Sequence, residues 1–246
     1  MYKRQGTDLK DCHGAKFQLK GVSTHGIAWF PQYVNKDAFQ TLRDNYGINT
    51  IRLAMYTNKS EGYGPDAVNK VREGVKYATE LGMYVIIDWH ILNDGNPNQH
   101  KSEAKKFFTK MSKKYGGQKN VIYEICNEPN GNVTWNKQIK PYAKTIVKTI
   151  RKHSKNAVIV IGTPTWSQDV DVVAQSPLKG KNLMYALHFY AGTHKEWNQE
   201  KLKTAHKKGL PVMVTEFSIC DASGNGALDK ASGNQWLRLL DRYNIS

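Results

Sequence analysis

Two glutamates far apart in the chain sit in matching local settings. Glu128 lies in Cys126-Asn127-Glu128-Pro129, where the apolar run 121–125 ends, and Glu216 lies in Val214-Thr215-Glu216-Phe217, where the run 212–215 ends. In a sheet or barrel of parallel strands, residues at the carboxyl ends of strands meet over a common mouth, so distance along the chain does not keep such a pair apart. Two facing carboxyl groups suit cleavage of a glycosidic bond. One, protonated, gives its proton to the leaving oxygen. The other, ionised, attacks the anomeric carbon when the two are about 5–5.5 Å apart. Their surroundings must separate their pKa values: partial burial and a neighbouring carboxylate keep the acid protonated, and a cation or a tyrosine hydroxyl keeps the nucleophile charged.

Around Glu128 the two-residue period of a strand predicts Ile122, Glu124, Cys126 and Glu128 on one side. Glu124 lies deeper in that run and reads as a structural acid paired with a cation, for which Arg52 in Ile51-Arg52-Leu53 is the candidate from a neighbouring strand. Further polar and aromatic residues fall at strand ends. His25 and Trp29 follow the first strand, Asp88-Trp89-His90 the third, Trp166 the fifth and His188-Phe189-Tyr190 the sixth. A single histidine in such a place is usually only hydrogen-bonded. Several converging on one mouth describe a site.

The elements that must position these residues alternate along the chain. After a polar opening that can form a hairpin around Gly14, strand-like runs begin at Phe17, Ile48, Met83, Asn120, Ala157, Leu183 and Pro211. Helix-like segments separate them, such as the one that Pro65 and Asp66 introduce, with Val68, Val71, Val75 and Ala78 on one face. Gly47, Gly82 and Gly209 each stand where a helix ends and a strand begins. Repeated βα units predict an α/β fold with a parallel sheet, and 246 residues without a linker predict one catalytic barrel domain over residues 1–246. Seven strands are readable. They are followed by a helix with Trp236, Leu239, Leu240 and Tyr243 on its apolar side, so the expected (β/α)8 TIM barrel lacks its eighth strand.

The formal charge of +15, from 36 Lys+Arg against 21 Asp+Glu, raises nucleic acid as a partner. Its distribution argues against one: Lys140, Lys144, Lys148 and Lys152 recur beside the apolar series Ile139, Tyr142, Ile146 and Ile150, the pattern of a helix with a solvated face. Cys12, Cys126 and Cys220 have neither zinc-site spacing nor the even number of a disulfide framework. No apolar stretch reaches the roughly 20 residues that span a bilayer, so no membrane partner is expected. There is no GxSxG elbow, phosphate-binding loop, GxGxxG turn or HExxH pair, and no cofactor or metal is called for.

The ordered set Leu19-Lys20-Gly21-Val22-Ser23-Thr24-His25-Gly26, Ile51-Arg52-Leu53-Ala54-Met55-Tyr56, Val85-Ile86-Ile87-Asp88-Trp89-His90, Tyr123-Glu124-Ile125-Cys126-Asn127-Glu128-Pro129, Ala186-Leu187-His188-Phe189-Tyr190 and Val214-Thr215-Glu216-Phe217 resembles the bacterial endoglucanases of glycoside hydrolase family five, in clan A. The resemblance implies Glu128 as acid/base and Glu216 as nucleophile, with Arg52 orienting Glu216 and Asn127 bonding the sugar 2-hydroxyl. It further implies a polar shell of His90, His188 and Tyr190, and glucose subsites lined by His25, Trp29, Tyr56 and Trp166. The implied substrate is a β-1,4-glucan cut internally, with mannan and xylan as alternatives. An insoluble polymer cannot enter a cell, so a secreted protein is expected, working as a monomer. The family's eighth strand carries a subsite tryptophan that has no counterpart here, so the alternative expectation is a weakly active barrel or one that only binds glucan.

Overall fold

A computed structural model describes residues 3–246. The chain opens on an antiparallel hairpin, β1 (Lys3–Gln5) and β2 (Asp8–Lys10), and then alternates strand and helix: β3 (Gly21–Ser23), α1 (Lys36–Tyr46), β4 (Thr50–Tyr56), α2 (Pro65–Glu80), β5 (Tyr84–His90), α3 (Lys101–Tyr115), β6 (Val121–Glu124), α4 (Lys140–Arg151), β7 (Ile159–Ile161). Two single turns, α5 (Pro164–Ser167) and α6 (Val170–Val173), precede β8 (Leu183–Tyr190), α7 (Glu196–Lys207), β9 (Val212–Ser218) and α8 (Lys230–Arg242). Strands β3 to β9 form one parallel sheet in chain order. That order follows from right-handed βα crossovers repeated in one direction.

Local chemistry accounts for the joints. The Asn35 side chain accepts from Ala38 N and caps α1, and Pro65 starts α2 where no backbone donor is needed. Gly47, Gly82 and Gly209 adopt left-handed φ values of 66°, 70° and 77°, a region that costs other residues about 1–2 kcal/mol. Each lets a helix end and the chain turn into its next strand.

The sheet separates two apolar layers. Ile51, Leu53, Val85, Ile87, Val121, Tyr123, Tyr185 and Leu187 face the helices, packing with Val71, Val75, Phe108, Ile146 and Trp236. Inside the barrel, Ile86, Ile122, Val160, Met184 and Met213 form the lower filling, and Leu9 and Leu19 close it from below. The first strand is shorter than its apolar run predicts, beginning at Gly21 and not Phe17. Phe17 instead pairs through its N–H with the Leu9 carbonyl, so the turn around Gly14 folds back beside β2, and the main hairpin turns earlier, at Gly6.

Between β9 and β3 the sheet is open, as the strand count requires. The Ser246 carbonyl accepts from Val214 N at 2.8 Å and the Ser246 hydroxyl accepts from Leu19 N at 2.9 Å, so the last residue bridges the lower end of that seam. Above it runs a groove of about 620 Å³ lined by Val22, Arg52, Ile86, Met213, Thr215, Glu216, Phe217 and Leu237 among others.

One expectation from strand periodicity fails. Cys126 does not share the inner face with Ile122 and Glu124; it packs in the outer layer with Ile125. The reason is that β6 ends at Glu124, and alternation lapses once the ladder stops.

Candidate active site

At the carboxyl ends of the strands lies a cavity of about 590 Å³ lined by His25, Tyr56, His90, Glu128, Trp166, His188, Tyr190 and Glu216, together with Ser23, Thr24, Gly26, Ala54, Leu92, Gln168, His194 and Ala222. Eight of the residues singled out from the sequence therefore converge on it. Glu128, His188 and Glu216 each offer a ligand atom, and these atoms lie within 4.8 Å of one another. The same spacing suits a cation or a pair of reacting carboxyl groups.

Glu216 is the ionised member. Its Oε1 accepts from the Tyr190 hydroxyl at 2.7 Å and its Oε2 from Arg52 Nη1 at 3.0 Å. Burial pushes the carboxyl pKa up, but His188 and Arg52 outweigh it and hold the group down at about 2. Burial and then Glu216 push the Tyr190 phenol well above its ordinary value, so it stays a donor to the carboxylate. Burial and Glu216 likewise raise Tyr56, to about 12.

β9 reaches this position through an irregularity. Leu187 pairs with Val214 but His188 pairs with Glu216, so Thr215 is an extra residue, a β-bulge. Bulges of this kind re-aim side chains at barrel rims. Here the bulge turns both Thr215 and Glu216 inward: the Thr215 hydroxyl donates to Glu124 Oε1 at 2.7 Å while Glu216 meets Arg52.

Glu128 is 9% exposed and meets His188 Nδ1 through Oε1 at 2.9 Å. His188 Nε2 lies 2.8 Å from Thr215 Oγ1. Burial lowers the imidazole pKa, but the Glu124 and Glu128 contacts and the charge of Glu216 raise it to about 10. Both ring nitrogens are thus engaged in proton sharing, which leaves no bare nitrogen for a metal.

Arg52 and Asn127 lie enclosed beneath the cavity, with Arg52 bonded to Glu216. Arg52 is 2% exposed and contacts Glu124 (2.7 Å), Asp88 (2.9 Å), Glu216, Ser23 (3.1 Å) and Asn127 Oδ1 (2.5 Å). As read from the sequence, Glu124 is its buried partner, held down at about 2 because Arg52 overrides burial. The Asn127 amide donates to the Ile91 carbonyl (3.1 Å) and faces His90 Nε2 (3.2 Å), so the residue is enclosed and its hydrogens are taken up. With Nε2 accepting, His90 Nδ1 carries the hydrogen that it shares with Asp88 at 2.6 Å.

Two aromatic residues stand open to solvent. Trp29, 46% exposed, lies at the rim outside the cavity lining, tilted against Tyr56 and His25 with ring centroids 4.6 and 5.4 Å away. Trp166, also 46% exposed, sits in a turn whose residues Thr165, Trp166 and Ser167 all have positive φ, near 55°. Such backbone is costly for side chains of this kind and persists only where neighbours hold it. Trp166 N donates to the Pro129 carbonyl (3.1 Å) and the Ser167 hydroxyl to the Asn127 carbonyl (2.6 Å), tying the turn to the loop that carries Glu128.

Sequence reading missed Thr215, Gln168 and His194. His194 follows Tyr190 by one helical turn, and its Nδ1 accepts from Tyr190 N at 2.8 Å. Gln168 sits two residues beyond Trp166 on the same segment. Proximity to residues already chosen was the available signal for both, whereas a bulge leaves none.

A carboxylate pair of this spacing over the mouth of a parallel barrel is the layout of a barrel-type glycosidase. The model of the family Cellulase (glycosyl hydrolase family 5) matches residues 10–246, and the chain belongs to that family. It is 48% identical over 244 residues to an endoglucanase of Clostridium saccharobutylicum, an alignment covering 98% of this chain and 54% of the relative. It is also 48% identical over 240 residues to endoglucanase 5 of Pectobacterium carotovorum subsp. carotovorum, covering 97% and 47%. Among solved structures, Cellulase Cel5C_n superposes with a TM-score of 0.96 at 41% identity over 100% of this chain and 79% of that one. A variant of the Thermobifida fusca endoglucanase Cel5A catalytic domain in complex with cellotetraose gives 0.94 at 35% identity, over 99% and 82%. The chain spans about half the length of the curated relatives it matches.

Proposed function

We propose that the chain is a retaining endo-β-1,4-glucanase acting on cellulose and related β-glucans. The observation that carries this reading is the pair of carboxyl groups within 4.8 Å across the mouth, one fixed as an anion by Arg52 and the other sharing a proton with His188. Glu216 attacks the anomeric carbon while Glu128 protonates the departing glycosidic oxygen. Glu128 then takes a proton from the water that releases the glycosyl-enzyme. Trp29 at the rim and Trp166 in the cavity lining, both exposed, provide stacking faces for glucose units. The shell of His25, Tyr56, His90, His188 and Tyr190 orients the sugar at the cleaved bond.

The residues of the candidate site all come from one chain, which supports a monomer as the working unit. A polymeric substrate that cannot enter a cell supports an extracellular place of action. No helix among the described residues is long and apolar enough to cross a membrane.

Reducing-end release from carboxymethyl-cellulose tests the proposal. Glu128→Gln is expected to lose about 10²–10⁴-fold in turnover, the usual share of general acid–base catalysis, and Glu216→Gln at least as much. Turnover within about tenfold of the parent after either change rejects the assignment. The open seam between β9 and β3 favours a second reading, in which the barrel binds glucan and turns it over slowly. Cello-oligosaccharide affinity without measurable product from the parent chain would select it.

A further inference from the structure

One hydrogen-bonded chain in the site has its proton count fixed at one end. The Glu124 carboxylate is buried and paired with Arg52 Nε at 2.7 Å, so it is ionised and only accepts. Thr215 is 7% exposed, and its hydroxyl has one proton, which goes to Glu124 Oε1 at 2.7 Å. With that proton committed, Thr215 Oγ1 meets His188 Nε2 at 2.8 Å only as an acceptor. Nε2 therefore carries hydrogen, and the nitrogen with a variable proton is Nδ1, 2.9 Å from Glu128 Oε1.

We infer that Thr215 is a positioning residue for Glu128: by holding His188 with hydrogen on Nε2, it makes Nδ1 the atom that gives Glu128 its proton and receives it back. The β9 bulge supports this, because it turns Thr215 inward without displacing Glu216 from Arg52. The kinetic consequence rests on the glycosidase reading; the tautomer does not.

Before cleavage one proton lies between Nδ1 and Oε1, beside an Nε2–H that does not change. As the bond from the anomeric carbon to the glycosidic oxygen breaks, that proton passes from Glu128 to the oxygen, which keeps the bonding electron pair. Glu128 is left as a carboxylate beside a neutral imidazole. In the second step the attacking water bonds to the anomeric carbon, Glu216 departs as a carboxylate, and the water's proton goes to Glu128, restoring the count. If the Thr215 hydroxyl is removed, a neutral His188 can carry its hydrogen on Nδ1, donate to Glu128 and leave it an anion with nothing to give. The titratable groups facing His188 are Glu124, Glu128 and Glu216. Glu128 also feels Tyr56, Tyr190 and His194.

The test compares Thr215→Val, nearly the same shape without a hydroxyl, with Thr215→Ser. On a cello-oligosaccharide, whose leaving group needs a proton, Thr215→Val is expected to lower kcat/KM by about 10–100-fold. On a dinitrophenyl β-cellobioside, whose leaving group needs none, the change should stay within about threefold, and Thr215→Ser should recover most of the loss. An equal loss on both substrates, or no loss on either, overturns the proposal. Titration of the parent chain followed by imidazole ¹⁵N shifts gives a second reading that needs neither variant nor turnover: Nδ1 of His188 should lose its proton as pH rises while Nε2 keeps its own. Loss from Nε2 overturns the proposal, whereas a chain inactive on both substrates refutes only the glycosidase reading and leaves the ¹⁵N result to decide this one.

Discussion

Arg52 is the one guanidinium serving three carboxylates, Asp88, Glu124 and Glu216, and replacing it with methionine removes that cation at similar length. Breaking a buried ion pair from one side costs about 3–5 kcal/mol, because a charge is left without a partner. Three orphaned carboxylates do not triple the figure, since they take up protons before they bear it in full. Against a total stability of about 5–15 kcal/mol, the expected loss is still large. At about 2–4 °C per kcal/mol for a chain of this size, melting should fall by about 6–20 °C. The second readout is the acidic limb of the pH profile of kcat/KM, which on the proposed function reports Glu216 in the free enzyme. Without Arg52 the pKa of Glu216 rises from about 2 toward its ordinary 4.5, moving that limb upward. Arg52→Lys keeps the charge but cannot span the carboxylates as a planar fork, so it should fall between parent and Arg52→Met on both measures. An Arg52→Met variant that melts within about 2 °C of the parent with its acidic limb unmoved would refute the view that this cation helps to keep Glu216 ionised.

The same groups fix the pH range of greatest stability. His188 is raised from 6.5 to about 10, so its contribution is complete below 6.5 and disappears as pH rises toward 10. Glu124 and Glu216 are lowered from 4.5 to about 2, so theirs is complete above 4.5 and is lost as pH falls toward 2. Melting temperature should therefore be highest between pH 4.5 and 6.5, and a maximum above pH 8 would contradict the assignment. At Gly162 an added Cβ would lie 2.1 Å from the Cys126 carbonyl oxygen and 2.9 Å from that of Asn127. Gly162→Ala should cost about 1–3 kcal/mol by overpacking and displace the loop that carries Glu128, lowering both melting temperature and turnover; unchanged values for both would refute that close approach.

The frame of the molecule was readable because it rests on local rules. Glycines at 47, 82 and 209 mark left-handed helix exits whatever surrounds them, and the strands after them start within two residues of the expected positions. The convergence of Glu128 and Glu216 was legible in a similar way, although Glu128 lies four residues beyond β6 and Glu216 within β9. What escaped depends on departures from regularity. The break at Cys126 comes from where β6 stops pairing, and the inward turn of Thr215 comes from a bulge, set by pairing between strands and not by the residues themselves. The enclosure of Asn127 was also hidden, since its three partners, Arg52, His90 and Ile91, arrive from other strand segments.

Two residues of the same type, a few ångströms apart, have different surroundings because they meet different partners. Glu216 is bonded to a guanidinium, which cannot lose its proton in a protein. Its charge is therefore maintained by a fixed positive neighbour together with His188. Glu128 is bonded to an imidazole, whose proton is mobile, so the two groups can exchange one proton without separating charge over a distance. Burial alone would push Glu216 toward the protonated form. The partner decides the difference, and the fold supplies each partner from a different strand: Arg52 from β4 and His188 from β8, with Glu124 on β6 between them accepting from Arg52 directly and from His188 through Thr215. Such a network has little room for an apolar substitution at its centre, which is why the layers of Ile86, Ile122, Val160, Met184 and Met213 lie below it and the charged layer occupies the barrel's upper end.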